Sequence, residues 1–142
     1  MGIRVLLVDD EKDFAETLAQ RLEVRGFEAK TAFSWDECLD LIREHKFDVV
    51  ILDILMPGKD GIETLKEIKS IKPLIQVIML TGHATVETAI QGMKLGAYDY
   101  LIKPTETEDL VDKITKAYNL KTKHEERIRK AEVQKIIKRR GW

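Results

Sequence analysis

The chain alternates short apolar runs with stretches of helical periodicity, and the alternation repeats five times within about 120 residues. The runs have the length of strands and are rich in β-branched residues, which is typical of strands buried on both faces of a sheet. The alternation predicts an α/β fold: a doubly wound parallel sheet with helices on both faces and right-handed crossovers. The predicted strands are residues 3–8, 28–32, 48–53, 76–80 and 98–102.

Apolar residues recur at helical spacing between these strands. Phe14, Leu18 and Leu22 form one face of the first predicted helix, which spans 14–24. Three pairs of residues resemble N-terminal capping boxes. These pairs are Ser34 with Glu37, Asp60 with Glu63, and Thr105 with Glu108.

The last predicted helix is unusually long. From Thr105 to Arg140 the chain contains neither proline nor glycine, and helix-forming residues dominate. We therefore expect this helix to extend well past the last strand. Ile114, Ala117 and Ile128 lie at coiled-coil spacing, but Lys121 interrupts the seam.

Composition excludes several classes of protein. The 142 residues are 44% hydrophobic and 35% charged, which indicates one globular domain. The single cysteine, Cys38, excludes an internal disulfide and a cysteine-based zinc cluster. The apolar runs are too short to cross a bilayer, and no charged-then-apolar leader opens the chain. We therefore expect a cytoplasmic protein that does not contact membranes.

Charge divides the chain into two parts. Residues 1–120 carry 15 Lys and Arg against 22 Asp and Glu, whereas residues 121–142 carry nine basic residues against three acidic ones. We predict a domain over 1–120 and a basic helical tail or linker over 121–142. A basic helix is either a solvated surface or a contact for nucleic acid.

Polar residues stand at the carboxyl ends of four predicted strands, where ligands bind in folds of this kind. Asp9 and Asp10 follow the first strand, Asp53 ends the third, Thr81 the fourth and Lys103 the fifth. Taken singly, Asp10 is explained equally well as a helix cap, and an acid in the position of Asp53 is more often an ordinary loop residue than a catalytic one. Taken together, the residues predict three carboxylates, a hydroxyl and an ammonium in one crevice.

Clustered carboxylates repel one another unless a cation neutralises them. An all-oxygen donor set without His or Cys favours a hard ion, and Mg²⁺ fits best because it binds few carboxylates and retains water. An ammonium across the crevice, at Lys103, suits a phosphoryl group bound beside the metal.

Four segments carry a resemblance to a known family: LLVDDE, DVVILDILMPGKDG, VIMLTGHA and YDYLIKP. Over about residues 3–120 the chain resembles the receiver domain of two-component response regulators. The segment GHATVETAIQGMKLGAYDYLIKP is most similar to receivers that precede transcriptional activators of the nitrogen-regulation type. The resemblance implies a flavodoxin-like (βα)5 fold with strand order 2-1-3-4-5, as in the chemotaxis regulator.

The resemblance also implies roles for the crevice. Asp53 would be the phosphoacceptor, receiving a phosphoryl group from a sensor histidine kinase or a phosphotransfer protein. Asp10, Asp53 and the backbone carbonyl of Leu55 would bind Mg²⁺, and Asp9 would act through a metal-bound water. Lys103 would offset phosphoryl charge.

The same resemblance implies a switch. Thr81 would move toward the phosphoryl group and Tyr100 would turn inward. The face of the fourth helix, fifth strand and fifth helix would then change for an output domain or protein. The peptide bond before Pro104 would be cis. The chain would accept and slowly lose phosphate without being an enzyme in the ordinary sense.

Two other functions stay open at this point. One is a Mg²⁺-dependent phosphatase with Asp53 as nucleophile, although such enzymes place a second Asp where Leu55 stands. The other is nucleic-acid binding through the basic tail. In a receiver, nucleic acid would be contacted only through an output domain outside this chain, and a homodimer through the C-terminal helix is a further expectation.

Overall fold

A computed structural model describes residues 2–56, 61–82 and 85–141 of the chain. Five parallel strands form one sheet in the order β2-β1-β3-β4-β5, which confirms the predicted class and strand order. The strands are β1 Arg4–Val8, β2 Glu28–Ala32, β3 Val49–Leu52, β4 Gln76–Thr81 and β5 Asp99–Ile102. The predicted cap at Asp60 lies outside the described residues.

Helices follow each strand in the expected alternation: α1 Lys12–Val24, α2 Trp35–Glu44, α3 Gly61–Ile71, α4 Val86–Lys94 and α5 Thr107–Arg139. Ser34 caps α2, because its hydroxyl accepts a hydrogen bond from the Glu37 N–H at 3.2 Å. Thr85 and Thr88 form a reciprocal capping box at the start of α4. The Lys103-Pro104 peptide bond is cis, as the resemblance implies.

Two helix starts differ from the sequence patterns. The cap position of α1 is Glu11, so Asp10 does not cap this helix. The predicted cap at Thr105 is wrong, since the backbone stays extended through Glu106 and α5 begins only at Thr107. Neither Glu11 nor Glu106 makes a side-chain capping hydrogen bond. The hydroxyl of Thr105 therefore lies one residue before the position from which a side chain caps a helix.

The core has two layers because successive strand residues point to opposite faces of the sheet. One layer packs α2 and α3 against β1, β3 and β4, and includes Trp35, Cys38 and Leu65. The other packs α1 and α5 against the opposite face. All residues of β3 and β4 are buried, which is why these strands are apolar in sequence except for Gln76 and Thr81 at the two ends of β4.

The long helix α5 is buried over its first half only. Leu110, Ile114, Ala117 and Lys121 face the body, and beyond them α5 projects with most side chains exposed. The Lys121 ammonium does not interrupt this contact, because it lies 3.2 Å from the carboxylate of Asp48, just before β3. Among the described residues, no helix combines the length and hydropathy needed to span a membrane.

Candidate functional site

Three carboxylates meet at the carboxyl ends of β1 and β3. One oxygen from each of Asp9, Asp10 and Asp53 lies within 4.8 Å of the others. Asp9 and Asp53 are buried, whereas Asp10 is exposed. The parallel pairing of β1 with β3 brings the two strand ends together, since Val8 is the register partner of Leu52. The predicted acidic cluster is therefore present.

Lys103, which follows β5, reaches across this cluster. Its ammonium nitrogen lies 2.6 Å from Asp9 Oδ2 and 3.3 Å from Asp53 Oδ2. A third carboxylate, that of Glu11, accepts from the same ammonium at 3.4 Å. The Lys103 side chain is only 13% exposed, so these contacts are partly shielded from solvent.

Backbone groups fix the carboxylates in place. The Glu11 N–H donates to Asp9 Oδ1 at 2.9 Å, and the Leu55 N–H donates to Asp53 Oδ1 at 3.0 Å. The Asp53 N–H itself donates to the Val8 carbonyl at 2.9 Å, which continues the β1–β3 ladder. Each buried carboxylate is thus held by the loop that follows it, with one oxygen directed at Lys103.

The ionisation of the cluster is perturbed. Burial raises the pKa of Asp9 above its ordinary value, even though the hydrogen bond from Lys103 opposes the shift. Burial alone would lower the pKa of Lys103, but the hydrogen bond and charge of Asp9 outweigh burial and raise it. Lys103 therefore stays positively charged, but its single charge does not fully balance the negative charge of the carboxylates around it.

This donor set fits a metal ion. The three clustered carboxylates, those of Asp9, Asp10 and Asp53, carry more negative charge than the single ammonium of Lys103 can balance. A hard divalent cation would neutralise the excess. All candidate ligands are oxygens, and the exposure of Asp10 leaves an open side for water or for a phosphoryl group. The Asp9, Asp10 and Asp53 cluster is thus able to bind a metal ion.

The other predicted residues lie around this cluster. Thr81 is buried at the end of β4, and its carbonyl accepts from the Lys103 N–H at 3.0 Å. The side chain of Leu55 is 50% exposed at the mouth of the site. Tyr100 is 39% exposed on β5, an edge strand of the sheet.

Sequence patterns assigned no role to two residues that contact Lys103. Glu11 contributes the third carboxylate described above. Phe14, expected only as a core residue of α1, also lies beneath the ammonium, which is 4.2 Å from the centre of its ring. Glu11 and Phe14 follow Asp9 and Asp10 closely in sequence, so they lie at the start of α1, beside the strand ends. This proximity in sequence is the signal that could have identified both residues.

The sheet order and the charged cluster together define a phosphoacceptor α/β domain. The chain belongs to the family of response regulator receiver domains, whose sequence profile matches residues 5–115. Family membership supports the phosphoacceptor interpretation of the acidic cluster.

Individual relatives agree with this assignment to the receiver family. The chain is 41% identical over 116 residues to the transcriptional regulatory protein ZraR of Escherichia coli K12, covering 82% of this chain and 26% of that protein. A receiver domain structure from Methanospirillum hungatei superposes with a TM-score of 0.84 at 31% identity, covering 87% of this chain and 99% of that one. The chain spans about a quarter of the length of the curated relatives it matches.

A third relative was solved in a modified state. It is a response regulator from Burkholderia pseudomallei with a phosphorylated aspartic acid, a calcium ion and citrate. It has a TM-score of 0.76 and 28% identity, and the match covers 97% of this chain and 85% of that one.

Proposed function

We propose that Asp53 is the residue that accepts the phosphoryl group in this receiver, from a phosphohistidine of a sensor kinase or of a phosphotransfer protein. The observation that carries the proposal is the position of Asp53, whose one oxygen is held by the Leu55 N–H while the other lies 3.3 Å from Lys103. Asp9 is hydrogen-bonded more tightly to Lys103, and Asp10 does not end a buried strand.

In the reaction a carboxylate oxygen of Asp53 attacks phosphorus, the bond from phosphorus to the histidine nitrogen breaks, and that nitrogen recovers its lone pair. Positioning and charge compensation supply most of the catalysis in such transfers. Lys103 remains cationic throughout and balances charge on the transferring oxygens. Thr81, which ends the neighbouring strand β4, is the residue proposed to donate its hydroxyl to the product phosphoryl group.

Mg²⁺ is the cation proposed for the site, with Asp10, Asp53 and the Leu55 carbonyl as ligands and Asp9 acting through water. A bound Mg²⁺ would supply charge neutralisation of the phosphoryl oxygens. The chain's own contribution is to hold the carboxylates together through the backbone hydrogen bonds at Glu11 and Leu55.

The response is proposed to pass through Thr81 and Tyr100 to the face of α4, β5 and α5. Exposed apolar side chains on this face support a protein partner: Val86, Ile90, Met93, Tyr100 and Ile102. The proposed output partner is a domain or protein of a transcriptional activator, and nucleic acid would be contacted through that partner. We propose that the receiver domain spans residues 1–120 and that residues 121–142 form the basic helical tail or linker. We also propose that the protein acts in the cytoplasm. There it would accept a phosphoryl group without turning over substrate as an enzyme does.

The test is intact-mass measurement after incubation with acetyl phosphate and Mg²⁺. We expect one phosphoryl adduct, which is lost in Asp53→Asn and in the presence of a chelator. Asp99→Asn, which removes a carboxylate outside the site, serves as the matched control and should keep the adduct. An adduct that persists in Asp53→Asn would contradict the assignment, and steady phosphate release without an adduct would return the hydrolase alternative.

A further inference from the structure

The ring of Phe14 is the one aromatic group that the structure places on the Lys103 ammonium among the residues described. Phe14 lies in the first turn of α1 and is half-buried, with its side chain packed against the core layer beneath the site. Together with Asp9 and Asp53, it also lines a small cavity of about 10 Å³. Phe14 is therefore adjacent to the reacting groups without itself offering any polar atom.

The distances around Lys103 show why a ring matters there. The ammonium has three carboxylates within 3.4 Å, those of Asp9, Asp53 and Glu11, and only the contact with Asp9 is short. A lysine side chain has four flexible methylenes and a strongly hydrated head, so carboxylates alone leave it several arrangements. The Glu11 side chain is 67% exposed and can draw the ammonium outward toward solvent.

An aromatic face favours one of these arrangements. A cation within about 6 Å of a ring centre is attracted by the ring quadrupole, and the attraction strengthens when water is excluded. At 4.2 Å, and with the lysine side chain 13% exposed, Lys103 and Phe14 meet both conditions. The ring also occupies space from which water would otherwise hydrate the ammonium.

We propose that Phe14 is a positioning residue for phosphoryl transfer, which holds the Lys103 ammonium beside Asp53 by cation–π contact and keeps it from turning outward to Glu11. The inference rests on the proposed function, because it assigns Phe14 a part in the reaction at Asp53. Phe14 acts only through Lys103, and it touches neither the phosphodonor nor the acceptor oxygen.

Three variants separate this role from a purely structural one. Phe14→Leu keeps an apolar side chain against the core but removes the ring. Phe14→Tyr keeps the ring. Phe27→Leu is the matched control, since Phe27 packs against the same core layer but lines a groove formed by the loops at the opposite end of the sheet. Thermal unfolding of each variant reports the structural cost separately.

The first measurement is the initial rate of adduct formation with acetyl phosphate and Mg²⁺. We expect Phe14→Leu to react about fivefold to thirtyfold more slowly than the original chain. Phe14→Tyr should react at nearly the original rate, and Phe27→Leu should do so even if its melting temperature falls. Equal rates for Phe14→Leu and the original chain, or equal slowing in Phe14→Leu and Phe27→Leu, would overturn the inference.

The second measurement needs no phosphodonor. In protein labelled with ¹³C at the lysine ε-carbons, the ring current of Phe14 should shift the ε-methylene protons of Lys103 upfield. Lys103→Arg assigns the signal by removing it. The shift should vanish in Phe14→Leu and persist in Phe14→Tyr and Phe27→Leu. An unshifted Lys103 signal in the original chain would overturn the inference while an Asp53 adduct still supported the proposed function. Failure to form any adduct, with the shift present, would instead overturn the proposed function.

Discussion

Gly92 of α4 lies directly against Met79 of β4: a Cβ atom built on the glycine would overlap the Sδ and Cε atoms of the methionine. Both residues are buried, so α4 packs against β4 at this glycine with no side chain of its own between them. β4 carries Thr81 at its end, two residues after Met79. The distance between α4 and β4, the strand that ends in Thr81, therefore depends on the absence of a side chain at Gly92.

Gly92→Ala should destabilise the domain even though alanine is the better helix former. Alanine gains about 1 kcal/mol in helix propensity. Its methyl group would have to displace the flexible end of the Met79 side chain, which is buried, and overpacking of a core costs about 1 to 3 kcal/mol. We expect a net loss of about 1 kcal/mol in the free energy of unfolding, measured in urea. In a double-mutant cycle, Met79→Val should cost less in the Gly92→Ala background than alone. Independent, additive losses would show that the two side chains do not compete for space.

Asp48 should make stability depend on pH. Burial would raise the pKa of this carboxyl, but hydrogen bonds from Arg4 and Lys121 prevail and lower it. A lowered pKa stabilises the fold above the ordinary value near 3.8, and the stabilisation is lost as pH falls through the lowered pKa. At pH 7, Asp48→Asn should cost about 2 kcal/mol, because Lys121 is left buried with weaker partners.

The measurement is urea unfolding of the original chain and Asp48→Asn at pH 7 and at successively more acidic values. The difference between the two proteins should shrink toward acid. Asp99→Asn serves as the control, because its ion pair with Lys113 is partly exposed, and we expect a loss of less than about 1 kcal/mol. A difference for Asp48→Asn that does not change with pH would argue against a role for its charge.

Leu55 should make the phosphorylated state long-lived. Its side chain is 50% exposed beside Asp53 and has no polar atom with which to orient an attacking water. Leu55→Asn should shorten the lifetime of the adduct about tenfold, by adding a group that positions water. Decay is followed by intact mass after the phosphodonor is removed, with Leu55→Met as the apolar control. An unchanged lifetime in Leu55→Asn would show that this position does not limit hydrolysis.

The exposed half of α5 should associate with a second copy. Most helical stability in proteins comes from tertiary packing, and within the described chain this half of α5 leaves three apolar side chains, Ile128, Val133 and Ile136, about half exposed. We expect sedimentation velocity to show a monomer–dimer equilibrium at micromolar concentrations. Ile128→Lys should shift it to monomer, whereas Gln134→Lys, which adds the same charge at a polar exposed position, should not. A monomer at all concentrations would contradict the proposed homodimer.

The periodicity of the sequence was sufficient to predict the fold, because each of the five segments predicted as strands corresponds to one strand of the sheet. β3 is apolar throughout and β4 is apolar between its two terminal residues, so the position of both strands in the interior of the sheet was predictable from their apolar runs. Helix starts were less accessible, because Thr105 matches a capping pattern that the extended backbone at Glu106 displaces. Caps depend on backbone angles that one side chain does not determine.

The site was predictable where topology alone brings residues together. Asp9, Asp53 and Lys103 follow β1, β3 and β5, whose carboxyl ends lie at the same edge of a parallel sheet, so the topology brings them to one side of the molecule. Phe14 and Lys121 were not predictable in this way, since their contacts depend on how α1 and α5 rotate about their axes. For Lys121 the available signal was burial at residues 110, 114 and 117, which continues with helical spacing to 121.

Because α5 runs unbroken from the packed body to Arg139, its length determines an angle as well as a distance. Each residue added to or removed from the stretch after Lys121 would turn whatever is attached to its far end by about 100° and shift it by about 1.5 Å. Insertions of seven residues would nearly restore the original orientation, whereas insertions of two would point the attachment to the opposite side. For a protein fused at that end, the number of residues in this helix thus determines the direction in which the fused protein faces.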